Sequence, residues 1–350
     1  MELGGEFYLD LNTLSEKEHS VASCLASERP LFFDSGRSAL RFAAQGLRPG
    51  TVLLPEYICD SVRSAFPAHA LRFYRLTPSL EIDLSDLAEK LDESISAVFL
   101  MHYFGAVQPR PALEYLSAAR QRFGFTVIED TTHSIFSRPR TVGDLCVCSL
   151  RKWFALPGGG ILYGLGLTAL ADTPLPRRRT DNTRAYGMVC KAMFLHGELD
   201  CNAEYLEIFR KTEEALDAQT ESYQISDLSR FLLRTVDADA LTARRKSNYA
   251  QLKRALSALG VSPICRIAQT DCPLVLPIWA ENRGALRSYL MDHRIYCAVH
   301  WPFDGVQAEE RPLAQRMAAH MLSLPIDQRY DAEHIAYLTD TLMQCKGFIL

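Results

Sequence analysis

Phe125-Thr126-Val127-Ile128-Glu129, continued by Asp130-Thr131-Thr132-His133, is an apolar β-rich run that ends on two acids and then a histidine. Such a run favours a buried strand. The segment before it, 111–123, carries Leu113, Leu116 and Phe123 on one helical face, with Pro109 and Pro111 at its start and Gly124 after its end. Working outward, the same alternation recurs: apolar runs at Leu31–Phe33, Thr51–Leu54, Leu71–Leu76, Ala97–Met101, Leu145–Leu150 and Gly160–Tyr163 alternate with amphipathic stretches. This pattern predicts an α/β domain with a mainly parallel seven-stranded sheet between helices. Ligands in such sheets sit beyond the carboxyl ends of strands, where Glu129, Asp130 and His133 fall. An acid there can keep a heteroaromatic nitrogen protonated. Capping of the following turn is the plainer alternative.

Composition narrows the class. The chain has 350 residues, 48% hydrophobic and 23% charged, with 38 basic against 42 acidic side chains and a net charge of −4. That is an ordinary folded chain with no electrostatic footprint for nucleic acid or an anionic membrane. The absence of a long apolar run and the acidic start MELGGEFYLD predict a cytoplasmic protein. The ten cysteines show no zinc-site spacing, so buried reduced thiols and no metal are expected. Cys146 and Cys148 alternate along one strand and share a face, which reads as core.

After Gly166 the stretch ADTPLPRRRTDNTR, 171–184, reads as an exposed excursion. A helical region follows, in which Leu241, Tyr249, Leu252, Leu256 and Leu259 keep helical spacing up to Gly260. We therefore expect a large α/β domain over 1–240, including the N-terminal segment, and a small C-terminal α+β domain over 241–350. In the latter, strands at Pro273–Trp279 and Arg294–His300 flank a helix at Gly284–His293. A closing helix at Asp331–Gln344 has Asp331 as its N-cap.

Two further stretches can carry chemistry. Ser35-Gly36-Arg37-Ser38 opens a helix after a strand, where free N–H groups, a glycine and a hydroxyl can hold a phosphate, or simply cap the helix. Ser149-Leu150-Arg151-Lys152-Trp153-Phe154 places a lysine beside a second cation and two aromatics, ahead of Gly158-Gly159-Gly160. Desolvation and like charge lower a lysine's pKa and favour imine formation, although three glycines also suit a hairpin.

A phosphate cup, an acid ending a strand with a histidine three residues on, and a lysine before a glycine turn together resemble the fold-type I pyridoxal-phosphate enzymes. Within them the chain is most similar to the DegT/DnrJ/EryC1/StrS sugar aminotransferases. Pro55-Glu56-Tyr57, His102-Tyr103-Phe104-Gly105, Gly143-Asp144, Ile225–Tyr249 and Leu324-Pro325-Ile326-Asp327 extend the resemblance over most of the chain. It implies that Lys152 holds pyridoxal 5'-phosphate as a Schiff base and then shuttles the proton. Asp130 pairs with the pyridinium nitrogen, and His133 lies near the ring hydroxyl or ring face. Gly36, Arg37 and Ser38 take the phosphate, with Ser149 on the same side. Tyr57 stacks on the ring, with the position of Cys59 as the alternative, and His102 or Tyr103 approaches the site. Three features depart from the family: Arg37 stands where a small residue is usual, Ser149-Leu150-Arg151 replaces the usual Ser-Phe-aromatic lead into the lysine, and the glycine turn stands closer to the lysine in some relatives than it does here. These mark a divergent branch.

The implied activity is transfer of an amino group from glutamate or glutamine to a keto or aldehyde acceptor, with a nucleotide-linked keto-sugar favoured. Arg177-Arg178-Arg179 can bind its diphosphate or form a solvated charge run, and Arg329 or His300 can meet a carboxylate. A homodimer with the site at its interface is implied by resemblance. Another pyridoxal-phosphate reaction, of lyase, dehydratase or aldolase type, and a non-catalytic binding or regulatory member of the fold are the rival readings. Lys152 argues against the sugar dehydratases of the family, which carry histidine there.

Overall fold

The computed structural model describes residues 1–137, 142–169, 174–177, 182–345 and 347. A two-residue strand, β1 (Leu3–Gly4), precedes seven strands that form one sheet: β2 (Leu31–Phe33), β3 (Thr51–Pro55), β4 (Ala70–Tyr74), β5 (Ile95–Met101), β6 (Thr126–Asp130), β7 (Leu145–Ser149) and β8 (Gly160–Tyr163). Their order is β2-β8-β7-β6-β5-β3-β4. All seven expected runs are present. β5 is buried at every position, as a strand covered on both faces must be. β3 pairs in parallel with β4 and β5, and β5 in parallel with β6, while β8 runs antiparallel to both β7 and β2. The sheet is thus mainly parallel, with β8 running opposite to both of its neighbours. β4 stops short of the expected Leu76 because that residue turns away to bridge Ile82.

Contacts divide the chain into two compact units, one made of Met1–Gly5, Leu47–Asp144 and Ala240–Leu350, the other of Glu6–Gly46 and Leu145–Asp239. One edge falls at residue 240, and the C-terminal segment groups with Leu47–Asp144. Within the first unit it keeps a core of its own. The helix Ala238–Ala258 supplies Tyr249, Leu252 and Leu256 to that core, and Gly260 follows it at φ +81°. β9 (Leu276–Trp279) and β10 (Ile295–Tyr296) lie where strands were expected, on either side of the helix Arg283–Asp292. A strand not anticipated, β11 (Met321–Leu324), pairs antiparallel with β9. The closing helix Ala332–Gln344 is capped by the Asp331 carboxylate, which accepts from the N–H groups of Glu333 and His334. The N-terminus belongs here too, which corrects its expected place in the large domain. β1 pairs in parallel with β10, Leu3 is fully buried, and the Gly4 N–H donates to the Tyr330 hydroxyl at 2.6 Å. Two residues are too few to show a periodicity in sequence.

In the second unit, the helix Gly36–Gln45 starts at Ser35, whose hydroxyl accepts from the Ser38 N–H. β2 pairs with β8 so that Phe33 faces Gly160. A methyl group on Gly160 would lie 2.2 Å from the Ser35 carbonyl oxygen and 2.6 Å from the Gly36 nitrogen. One on Gly158 would lie 2.7 Å from the Asp34 carbonyl oxygen, and one on Gly36 2.7 Å from the Ser149 Cβ. The glycine run therefore exists to let two turns approach backbone to backbone. Gly124, the αL cap of the Arg110–Phe123 helix at φ +69°, is the contrast, since nothing lies within 4 Å of where its methyl would be.

Gly160→Ala is expected to cost at least about 2 kcal/mol, because the crowding falls on backbone atoms that cannot rotate away, whereas Gly124→Ala costs about 1 kcal/mol of αL strain. Urea denaturation of both variants checks the order, and equal losses would contradict it.

Candidate functional site

Alternation along β6 sends Glu129 and Asp130 to opposite faces. The Glu129 carboxylate is fully buried. One oxygen lies 2.7 Å from His102 Nε2, and the other accepts from the N–H groups of Val142 and Gly143, each at 2.7 Å. His102 Nδ1 accepts from the Gln108 N–H at 3.0 Å, so the ring proton sits on Nε2 and points at Glu129. Glu129 is thus a structural acid anchoring the 142–143 turn. His102, expected as a residue that approaches the site, is committed to it.

Asp130 ends the strand on the other face. One of its oxygens accepts from the Thr132 N–H at 2.8 Å. His133 is buried beside it in sequence, and its Nδ1 accepts from the Phe104 N–H at 3.3 Å, which leaves the proton of a neutral ring on Nε2. Phe104 and Trp301 lie nearly parallel to the His133 ring, at 5.2 Å and 5.9 Å between centroids. Both hold positive φ, +56° and +49°, a region costly for side chains of this size.

Tyr57 does not offer the open ring face expected of it. It is 1% exposed, with Trp301 at 4.8 Å and Tyr103 at 6.0 Å, and its hydroxyl donates to the His300 carbonyl at 2.6 Å. Burial pushes that hydroxyl's pKa well above its ordinary value. Tyr103 in turn donates to the Tyr57 carbonyl at 2.6 Å. Cys59, the alternative position, is half-buried with its Sγ 3.1 Å from the Ser61 hydroxyl. His300 Nδ1 lies 2.8 Å from the Ser323 hydroxyl. Arg329 is bound to Asp327 at 2.8 Å and 2.9 Å and to the carbonyls of Gly4 and Gly5, so it fastens the N-terminus and does not await a substrate carboxylate.

The second unit holds the remaining candidates. Ser38 is fully buried. Its N–H is taken by the Ser35 hydroxyl, and its own hydroxyl meets Ser35 Oγ at 3.0 Å and Gln219 Nε2 at 3.1 Å. The Arg37 guanidinium, expected on a phosphate, instead meets Glu213 at 3.2 Å and Asp217 at 2.6 Å. Ser149 ends β7 opposite Gly160. Lys152 closes a single turn, Leu150–Lys152, pinned by the bond from the Leu150 N–H to the Gly159 carbonyl at 3.1 Å. The lysine is exposed, while Trp153 and Phe154 are buried in the core, so the aromatics do not desolvate it as expected. Arg151, the neighbouring cation, is paired with Glu213 at 3.1 Å.

Arg184, read as part of an exposed excursion, is also buried, in the first turn of the helix Thr183–Leu195, and bonds Glu213 at 3.3 Å and Glu6 at 2.9 Å. Arg151, Arg177 and Arg184 line a cavity of about 230 Å³ together with Asp34, Gly158 and Gln219. Arg178 and Arg179 lie outside the described residues. Glu213 was not singled out in the sequence: it sits in the helix Asn202–Asp217 among other acids, and no local signal marks it.

Comparison with solved structures places this architecture. DesV of S. venezuelae, solved in complex with a ketimine intermediate, matches with a TM-score of 0.67 at 18% identity, over 98% of this chain and 91% of that one. The sugar aminotransferase CalS13 of Micromonospora echinospora matches with 0.67 at 18%, over 97% and 93%. PseC of Helicobacter pylori, an aminotransferase involved in the biosynthesis of pseudoaminic acid, matches with 0.68 at 13%, over 99% and 100%. No protein-family model and no curated protein matches the chain. At these identities the likeness shows the fold, which is the fold-type I architecture the residues led us to expect.

Because Glu129 accepts two backbone N–H groups and faces His102, Glu129→Gln is expected to cost about 2–3 kcal/mol, the range for hydrogen bonds to a buried charged group. Chemical denaturation measures it, and an unchanged midpoint would show that the carboxylate is not an anchor.

Proposed function

We propose that this protein is a pyridoxal-phosphate-dependent aminotransferase. It takes an amino group from an amino-acid donor, glutamate or glutamine, and places it on a keto or aldehyde acceptor. A nucleotide-linked keto-sugar of polysaccharide or secondary-metabolite biosynthesis is the acceptor this reading favours, and a cytoplasmic homodimer is its expected form. The observation that carries the reading is the exposed amine of Lys152 on a turn packed through Ser149 and Gly160 against the first turn of the Gly36–Gln45 helix.

The donor set fits the cofactor. With the Ser38 N–H bonded to Ser35, the N–H groups of Gly36 and Arg37 are those left to a phosphate at the helix start, joined by the Ser149 hydroxyl. The Arg37 side chain, held by α-helical acids, contributes through its backbone rather than its guanidinium. Pyridoxal phosphate supplies an electron sink for the charge that develops at the substrate carbon. Lys152 Nζ would bind the cofactor and would also hold and move the proton. The Asp130 carboxylate, one oxygen of which accepts from the Thr132 N–H, would hold a proton at the ring nitrogen, and His133, whose Nδ1 accepts from the Phe104 N–H, would serve at the ring hydroxyl or ring face. Tyr57, Tyr103 and Trp301 form an apolar cluster near His133 that excludes water.

Reconstitution with pyridoxal phosphate should give a visible absorption band that glutamate or glutamine bleaches, and borohydride should trap the cofactor on the peptide carrying Lys152. Lys152→Ala should abolish both. Asp130→Asn should keep the fold and slow amino transfer by at least about 100-fold, the lower bound for losing a positioned proton-holding group. A band indifferent to both donors would favour another pyridoxal-phosphate reaction, and no band at all a non-catalytic protein.

A further inference from the structure

We propose that Glu213 is a positioning residue for the cofactor cradle, a single carboxylate that holds the lysine turn and the phosphate-side helix in register through Arg151 and Arg37. This rests on the reading of Lys152 as the cofactor-binding amine. The two arginines fall in two of the stretches where the sequence departs from its family resemblance, one in the first turn of the Gly36–Gln45 helix, the other immediately before Lys152. Both departures end on the same acid. Glu213 Oε1 accepts from Arg37 Nη2 at 3.2 Å and from Arg151 Nη2 at 3.4 Å, and Oε2 from Arg151 Nη1 at 3.1 Å and Arg184 Nη1 at 3.3 Å.

Charge decides which of these contacts matters most. Arg37 has a second acid in Asp217, and Arg184 has a second in Glu6. Among the described residues Glu213 is the acid paired with Arg151, whose side chain is only 15% exposed. Removing the carboxylate therefore strands one largely buried cation, the one beside Lys152. That guanidinium must then turn toward water. Arg151 and Lys152 share one short turn between the buried Leu150 and Trp153, so an unpaired charge on the first bears directly on the position of the second. Although burial pushes the Glu213 carboxyl pKa up, Arg151, with Arg184 and Arg37, brings it down to about 2, so the acid stays ionised throughout the working range.

The test compares wild type, Glu213→Gln and the double variant Glu213→Gln/Arg151→Gln, all as full-length cofactor-free protein, titrated with pyridoxal phosphate and separately with pyridoxal, which lacks the phosphate. Adduct formation at Lys152 is followed by absorption and borohydride trapping. Glu213→Gln should weaken binding of pyridoxal phosphate by about tenfold, the scale of one stranded charge, and should weaken pyridoxal as well, since both need the lysine turn. The double variant should regain most of the loss, because it removes the unpaired cation; the unfolding midpoints are measured alongside, and a binding loss that only follows a lowered midpoint would show a merely structural role and overturn the proposal. Unchanged binding in Glu213→Gln, a loss confined to pyridoxal phosphate, or no rescue overturns the proposal. Should Glu213→Gln fail to fold, Glu213→Asp, which keeps the charge and shortens its reach, should show a smaller loss of the same kind, and wild-type binding there would overturn it. A wild type that forms no adduct at Lys152 removes the aminotransferase reading itself, and this positioning role with it.

Discussion

Two turns in this protein pass each other at a distance that only glycine permits. Gly160 lies under the Ser35 carbonyl and the Gly36 nitrogen, and Gly36 lies against the Ser149 side chain. A Cβ at any of these contacts would stand within 3 Å of atoms that have nowhere to go. The close approach sets β8 antiparallel between β2 and β7 and brings the start of the Gly36–Gln45 helix beside the turn that carries Lys152. Everything proposed for the second unit depends on it, since neither a helix start nor an exposed lysine amounts to a site alone.

Carboxylates divide the remaining work by what surrounds them. Glu129 is ringed by N–H donors and acts as an anchor. Asp130, one residue on and therefore on the opposite face, has one oxygen tied to a local N–H at the carboxyl end of the strand, where ligands bind in sheets of this kind. Glu213 is ringed by guanidinium groups and neutralises cations that would otherwise repel one another and the neighbouring lysine. The three acids have the same chemistry, and their partners give them different roles.

The sheet was legible because β-strands announce themselves locally. Val127, Ile128 and the runs like them are apolar and extended whatever their partners, and Gly124 and Asp331 mark helix ends by their own conformational preferences. β1 and β11 were missed because short strands exist only through pairing with β10 and β9. Asp130, His133, Gly36 and Lys152 stood out as candidates from type and spacing along the chain. The partners of Tyr57, Arg37 and Arg329 were not legible for one reason: a side chain's type states what it can do, while its neighbours decide whether that capacity is already taken. Trp301 covers Tyr57, Glu213 and Asp217 hold Arg37, and Asp327 holds Arg329.

The sequence by itself determined the alternation of strands and helices and the order in which a helix-start cup, a strand-end acid and a lysine follow one another. These are short-range properties, set by hydrophobic period and backbone freedom within a dozen residues. Only the tertiary structure decided that Glu129 meets His102 and the 142–143 turn, that Arg184 is buried, and that arginines at 37, 151 and 184 share Glu213. Those outcomes rest on electrostatic pairing between residues far apart in the chain. A charge buried with a partner and a charge left in water read the same in sequence, and differ only once the fold has chosen what stands beside them.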